Sequence, residues 1–247
     1  MKIGLLLATN TYFCPYVKIY TDILDKNNIQ YDIIYPDKRG LNEDAAYRYT
    51  GKIDDKANKV AKLFYYWRYS KFLRKTIKKE QYDKLIVFGP QVAIFLKSFL
   101  KKYYKNKFIL DYRDLSIEQK FKRVYGELMG LATLHVVSSP AFIKCLPNIC
   151  ESILSHNFDI HLLKQAIDDN NMPYTINKKE INILTIGGIR DYEQNAAIIE
   201  VLGNQENFSV SFVGRGTDAP RLEAFAKRGK YKNVIFSGYY DKKDEAS

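Results

Sequence analysis

Cysteine and histidine are scarce in these 247 residues, with three of each. Cys14, Cys145 and Cys150 are an odd number, and none are spaced as C-x-x-C. They fit neither a disulfide framework nor a tetrahedral metal set, and they point to a reducing, cytoplasmic setting. His135, His156 and His161 stand apart in sequence; His135 lies in an apolar strand and reads as a core histidine with one nitrogen satisfied. Long apolar runs are also lacking. The stretch from Leu85 to Leu96 is interrupted by Gly89, Pro90 and Gln91, so nothing is long enough to cross a bilayer as a helix. The opening run Met1 to Ala8 is too short for a secretory signal and reads as a first buried strand. Acid is the minority charge: 28 Asp and Glu against 39 Lys and Arg give a net charge of +11, which favours anionic partners without choosing among them.

What is present is a repeating pattern. Short apolar runs at Ile3–Ala8, Tyr31–Tyr35, Lys84–Phe88, Lys107–Asp111, Leu134–Val137 and Ser152–Leu154 read as strands of a parallel sheet. Helical stretches separate most of them: Val17–Lys26, Asp55–Lys79, Val92–Tyr104, Ile117–Leu131 and Pro140–Leu146. Strand and helix in alternation predict a doubly wound α/β domain over 1–160. The polar segment 161–180, with Asp168, Asp169, Asn170, Asn171 and Pro173, reads as a linker. A second α/β unit follows over 181–247: strand Ile181–Ile186, helix Gln194–Leu202, strand Ser209–Val213, helix Ala219–Arg228 and strand Asn233–Phe236. Three strands make half of a Rossmann-type sheet, so this second domain reads as incomplete.

Two glycine-bearing loops carry the chemistry. Gly187, Gly188, Ile189 and Arg190 follow the first strand of the second unit; Gly214, Arg215, Gly216 and Thr217 follow its second. Glycine lets a ligand approach the backbone, a helix N-terminus offers free N–H groups to an anion, and arginine grips a diphosphate through paired hydrogen bonds. Tight strand-to-helix turns with a solvated Arg are the equal alternative. In the first unit, Asp111 and Asp114 stand at the end of a strand, where a carboxylate orients or deprotonates an acceptor hydroxyl; Asp114 capping the next helix is the competing account.

The segments ILTIGGIRDYEQN, SFVGRGTDAPRLEAFAK and NVIFSGYYDKKDE resemble the donor-binding domain of glycosyltransferase family 4. HVVSSPAFIKCL and SILSHNFD resemble the closing stretch of that family's acceptor domain, with Asn157 where the family usually has Gly. The resemblance implies a GT-B fold of two Rossmann-like domains. It implies transfer of a sugar from a nucleotide diphosphate donor to a sugar or lipid-linked acceptor, in polysaccharide or glycolipid biosynthesis. By match Arg190 binds the diphosphate, while Gly187, Gly188, Gly214, Gly216 and, more distantly, Arg215 line the donor pocket. There is no Asp-x-Asp, in keeping with a transferase that needs no metal and no cofactor beyond its nucleotide-sugar co-substrate. Two departures stand out. No Lys follows Arg190 where the family has one, and the sequence stops before the family's Glu-rich motif. Weak or absent turnover is therefore expected, with a non-catalytic GT-B-like binding module as the alternative. A generic nucleotide-binding regulator is a third reading, on fold analogy alone.

One stretch falls outside this scheme. From Lys56 to Lys79 nine Lys and Arg occur with no acid, among them Lys71, Arg74, Lys75 and Lys78, and Lys97 to Lys107 adds five more. Basic residues among aromatics suit the anionic inner face of a cell membrane. Val60, Leu63, Phe64 and Trp67 share one helical face, expected to pack on the sheet while the lysines face lipid or solvent. No nucleic-acid motif accompanies them, and no nucleic-acid partner is expected. The Lys-, Ile-, Asn- and Tyr-rich composition resembles that encoded by AT-rich bacterial genomes.

Overall fold

The computed structural model describes residues 1–54, 57–147, 152–157, 164, 167 and 179–240. Cys150, most of the expected 161–180 linker and the DKKDE end of the third family-like segment lie outside them. The chain divides into two compact units, Met1–Gln165 and Ala166–Ser247.

The first unit is a seven-stranded parallel sheet. Its strands are β1 (Lys2–Leu6), β2 (Gln30–Pro36), β3 (Tyr47–Tyr49), β4 (Lys84–Phe88), β5 (Phe108–Tyr112), β6 (Leu134–Val137) and β7 (Ser152–Leu154), in the order β3-β2-β1-β4-β5-β6-β7. Its helices are α1 (Val17–Lys26), α2 (Lys59–Glu80), α3 (Pro90–Tyr103), α4 (Lys122–Met129) and α5 (Pro140–Ile143). Successive strand residues face opposite sides, so Ile3, Leu5 and Leu7 pack with Val17 and Leu24 of α1, while Leu6 packs with Tyr69, Leu73 and Ile77 of α2. Burying a Leu or Ile side chain this fully is worth roughly 1.5–3 kcal/mol, and the larger cluster also takes in α3 and α4.

The strand β3 was not anticipated; three residues are too few to leave a periodic signal. The helix expected over 117–131 is instead a 3-10 turn, Ile117–Gln119, followed by α4. Between them lies Phe121 at φ −120°, outside the helical region.

The second unit holds β8 (Ile181–Gly188), β9 (Phe208–Arg215) and β10 (Val234–Gly238) in one parallel sheet, with α6 (Tyr192–Leu202) and α7 (Ala219–Gly229). Both helices share a core with Val210 and Phe212. Leu184, Ile186 and Ile235 alternate away from that core and are exposed. Among the described residues, this sheet carries its helices on one face.

One expectation about α2 is overturned. Val60, Leu63, Phe64 and Trp67 do not pack on the sheet: they are 74%, 57%, 54% and 44% exposed. The buried face is Tyr65, Tyr69, Leu73 and Ile77. The helix carries two apolar stripes, and the sheet takes the one that runs from Tyr65 to Ile77, through its middle and C-terminal turns. Lys71, Lys75 and Lys78 are exposed as expected. Arg74 is not, because its Nη2 donates to the Phe95 carbonyl of α3 at 2.8 Å.

Candidate functional site

In the first unit the strand order reverses between β1 and β4, and open α/β sheets bind ligands outside the carboxyl ends of strands at such a point. The loop after β1 is fixed there by side chains from beyond β2. Buried Asn10 donates through Nδ2 to Asp37 at 2.7 Å and Glu43 at 2.9 Å. Glu43 also accepts from the Thr11 and Tyr12 backbone amides. Burial opposes charge on Asp37, but hydrogen bonds from Asn10 and the 40–42 amides outweigh it and hold its carboxyl below the usual range.

At the end of β5 the two candidate carboxylates part company. Asp111 is buried beneath Arg113 and Tyr20. Arg113, also buried, donates through Nη2 to Asp111 at 2.6 Å and through Nη1 to the Ser155 carbonyl at 2.5 Å and Asn157 Oδ1 at 2.7 Å. Its guanidinium lies over the Tyr16 ring, 4.7 Å from the centroid. Burial pushes the Asp111 carboxyl up, and Arg113 offsets only part of this. Asp111 is thus enclosed, with its protein partners on both oxygens. Asp114 is exposed and does not cap the following turn, whose N-cap is Ser116. Glu118, buried, accepts from the Ser116 amide and the Tyr112 hydroxyl instead.

Arg113 is the residue that sequence reasoning missed. An arginine two positions after an aspartate reads as solvated, and only the pairing order β5-β6-β7 brings Ser155 and Asn157 over it. Asn157, which stands where the resembled family usually has Gly, acts through its side chain. Beside this node opens a cleft of about 770 Å³ whose lining includes Thr11, Cys14, Tyr16, His156 and Asn157. Burial pushes the Cys14 thiol up to about 11, which leaves it unreactive as a nucleophile. Among the described residues no cluster of His, Cys, Asp and Glu could hold a metal ion.

His135 has both nitrogens engaged, not one: Nε2 with the Tyr125 hydroxyl at 3.3 Å and Nδ1 with Ser152 Oγ at 3.1 Å. Burial lowers its pKa from 6.5 to about 4. The unfolded chain therefore binds the proton first as pH falls, and stability, complete above about pH 6.5, is lost toward pH 4 by up to about 3 kcal/mol. Denaturant midpoints measured across that range are expected to fall with pH, and His135→Asn to flatten the slope.

In the second unit the two glycine loops lie side by side, with Gly187 paired to Gly214 and Gly188 to Arg215. Gly214 has φ +129°, and a Cβ there would stand 2.9 Å from the Gly187 carbonyl carbon. A Cβ on Gly216 would stand 2.5 Å from the carbonyl carbon of Ile189. These two glycines let backbone meet backbone. Gly187 differs: at φ +103° it has nothing within 4 Å of where a Cβ would be, so its surface is open to a ligand. Arg190 is exposed, and its Nε would lie 3.5 Å from a Cβ on Gly188, so the guanidinium folds back over that glycine. Among the described residues no acceptor holds it. The turn beneath is clamped by buried Asn195, whose Nδ2 donates to the carbonyls of Arg190 at 2.6 Å and Asp191 at 2.9 Å. Asp191, at φ 63°, caps α6 through the Gln194 amide. Arg215 lies over Tyr239 and Arg221 over Tyr192, each leaving an exposed guanidinium at the same carboxyl edge.

No protein-family model matches the sequence, and none of the curated proteins does. Solved structures match in fold. Sucrose-phosphate synthase from Thermosynechococcus elongatus superposes with a TM-score of 0.65 at 14% identity, covering 98% of this chain and 71% of that one. The S. aureus MnaA–UDP co-structure gives 0.57 at 13%, covering 99% and 70%. The lipopolysaccharide outer core galactosyltransferase WaaB, in its apo form, gives 0.54 at 14%, covering 100% and 70%. The fold is α/β and GT-B-like, with a seven-stranded and a three-stranded parallel sheet.

Proposed function

We propose that the chain is a nucleotide-sugar-dependent glycosyltransferase. The donor diphosphate binds over Gly187 and Gly188, with Arg190 as its principal cation and Arg215 beside it; Gly214 and Gly216 support the pocket by holding the two loops together. One observation carries this reading: an exposed guanidinium, unclaimed among the described residues, folded over bare glycine backbone at the carboxyl end of β8. Such a group exchanges solvent for phosphate oxygens without first breaking a protein ion pair. Developing charge on the leaving diphosphate is balanced by arginine, with no metal required.

The acceptor hydroxyl, on a sugar or a lipid-linked sugar of polysaccharide or glycolipid biosynthesis, binds at the carboxyl edge of the first unit. There Asp114 is the carboxylate within reach of solvent, while Asp111 positions the Arg113 node. The UDP named in the MnaA structure supports UDP as the first nucleotide to try. The reaction is placed in the cytoplasm, at the inner face of the cell membrane.

Calorimetric titration with UDP and GDP tests the reading. One of them is expected to bind, and Arg190→Ala to weaken it by at least about tenfold, the loss of roughly 1.4 kcal/mol that one charged hydrogen bond supplies. Absence of binding by both nucleotides, or an unchanged affinity in Arg190→Ala, rejects it.

A further inference from the structure

We propose that α2 is a membrane-docking helix whose outward stripe lies on an anionic bilayer. At about 100° per residue, Val60, Leu63, Phe64, Trp67, Lys71, Lys75 and Lys78 fall within one arc opposite the buried face. Exposure confirms the arc: all seven are exposed, while Tyr65, Tyr69, Leu73 and Ile77 are buried. The stripe is divided along its length. Its first half is apolar, with Phe64 and Trp67 stacked at 5.5 Å between ring centroids. Its second half is cationic, and Lys71 joins the halves, its Nζ 3.5 Å from the centre of the Trp67 ring.

A hydrophobic patch on a soluble surface implies a partner, and the charge around this one selects its chemistry. Of the eight Lys and Arg in α2, seven are exposed, and the helix has no acid before Glu80, its last residue. That combination suits an interface presenting acyl chains beneath phosphate headgroups, with Trp at the boundary. A cleft of about 440 Å³ adjoins the apolar half, lined in part by Lys52, Phe64, Tyr65 and Arg68. The buried hydroxyl of Tyr65, a residue 5% exposed, has no hydrogen-bond partner among the described residues, and the exposed Lys52 and Arg68 beside it offer a seat for a headgroup phosphate. Because β3, the edge strand, pairs parallel with β2 and the cleft follows its last residue, Tyr49, the apolar half lies toward the carboxyl edge of the sheet.

This docking does not depend on the transferase reading, and its test is independent of nucleotide binding. Trp67 is the single tryptophan of the chain, so its emission reports on this surface alone. With vesicles of phosphatidylglycerol and phosphatidylcholine, the full chain is expected to co-sediment, its emission to shift to the blue, and brominated acyl chains to quench it. Phosphatidylcholine alone, high salt, Phe64→Ala or the triple change Lys71→Glu, Lys75→Glu, Lys78→Glu should each weaken binding at least about tenfold. These positions are on the surface, and far-UV circular dichroism checks that the variants fold. No binding to the anionic vesicles overturns the proposal, as does binding with unaltered Trp67 emission. An emission shift produced by single-stranded RNA, or by raising protein concentration, with none from vesicles, assigns the surface to another partner and equally overturns it.

Discussion

Gly216→Ala is expected to unfold the second unit and leave the first intact. The new methyl group would stand 2.5 Å from the carbonyl carbon of Ile189 and 2.6 Å from its nitrogen. A side chain in the way could swing aside, but here the obstacle is the backbone of the neighbouring loop. Ile189 cannot give way easily, since it is buried in the core shared with Ile199, Phe212 and Leu222, and its amide donates to the Arg215 carbonyl. Overpacking usually costs about 1–3 kcal/mol, and a clash with backbone should exceed that. The core concerned is small, so little reserve is left. Gly187→Ala serves as the control: it meets no atom within 4 Å and bears only the strain of its positive φ, roughly 1–2 kcal/mol. Limited proteolysis with fragment mapping reads the outcome. A Gly216→Ala protein as resistant as the parent across 181–240 would show that the two loops do not meet as described.

The second large effect is an asymmetry at the Arg113 node. Removing either partner of a buried ion pair costs about 3–5 kcal/mol, because the other charge is left uncompensated. The survivors differ in what they can do next. After Arg113→Leu, Asp111 can take up a proton, the direction in which burial already pushes it. After Asp111→Leu, Arg113 cannot shed its charge at any ordinary pH. Arg113→Leu should therefore recover part of its lost stability on acidification from neutral toward pH 5, and Asp111→Leu should recover none. The double variant should lose less than the sum, since it buries no lone charge. Denaturant titrations of the three variants at two pH values decide the matter. Equal pH responses in both single variants would mean that the two side chains do not form a closed pair.

How much of this was written legibly in the sequence depended on what each signal measures. The strand-helix alternation located β1, β4, β6 and α1 to within two residues at either end, because apolar runs report burial directly; β7 was located as well, although Ile153 and Leu154 are exposed. The glycine loops were legible for a different reason: Gly187 and Gly214 sit where the backbone takes positive φ, which glycine adopts without strain. What their proximity serves was not, because the contact between Gly216 and Ile189 is a matter of register between β8 and β9. Arg113 was invisible because the groups that enclose it beyond Asp111, on Ser155 and Asn157, lie 42 and 44 residues away. On α2 the periodicity was read correctly and assigned to the wrong side. A hydrophobic pattern says that a face is apolar, but not which of two apolar faces the sheet will take.

The sheet of the second unit leaves Leu184, Ile186 and Ile235 exposed on the face opposite its helices. Two copies that met there would bury apolar surface, and their shared net charge of +11 would oppose the approach. That repulsion is long-ranged only while ions are few; at physiological ionic strength it fades beyond about 8 Å. Added salt is therefore expected to favour self-association through this apolar face, and light scattering across a salt series checks it.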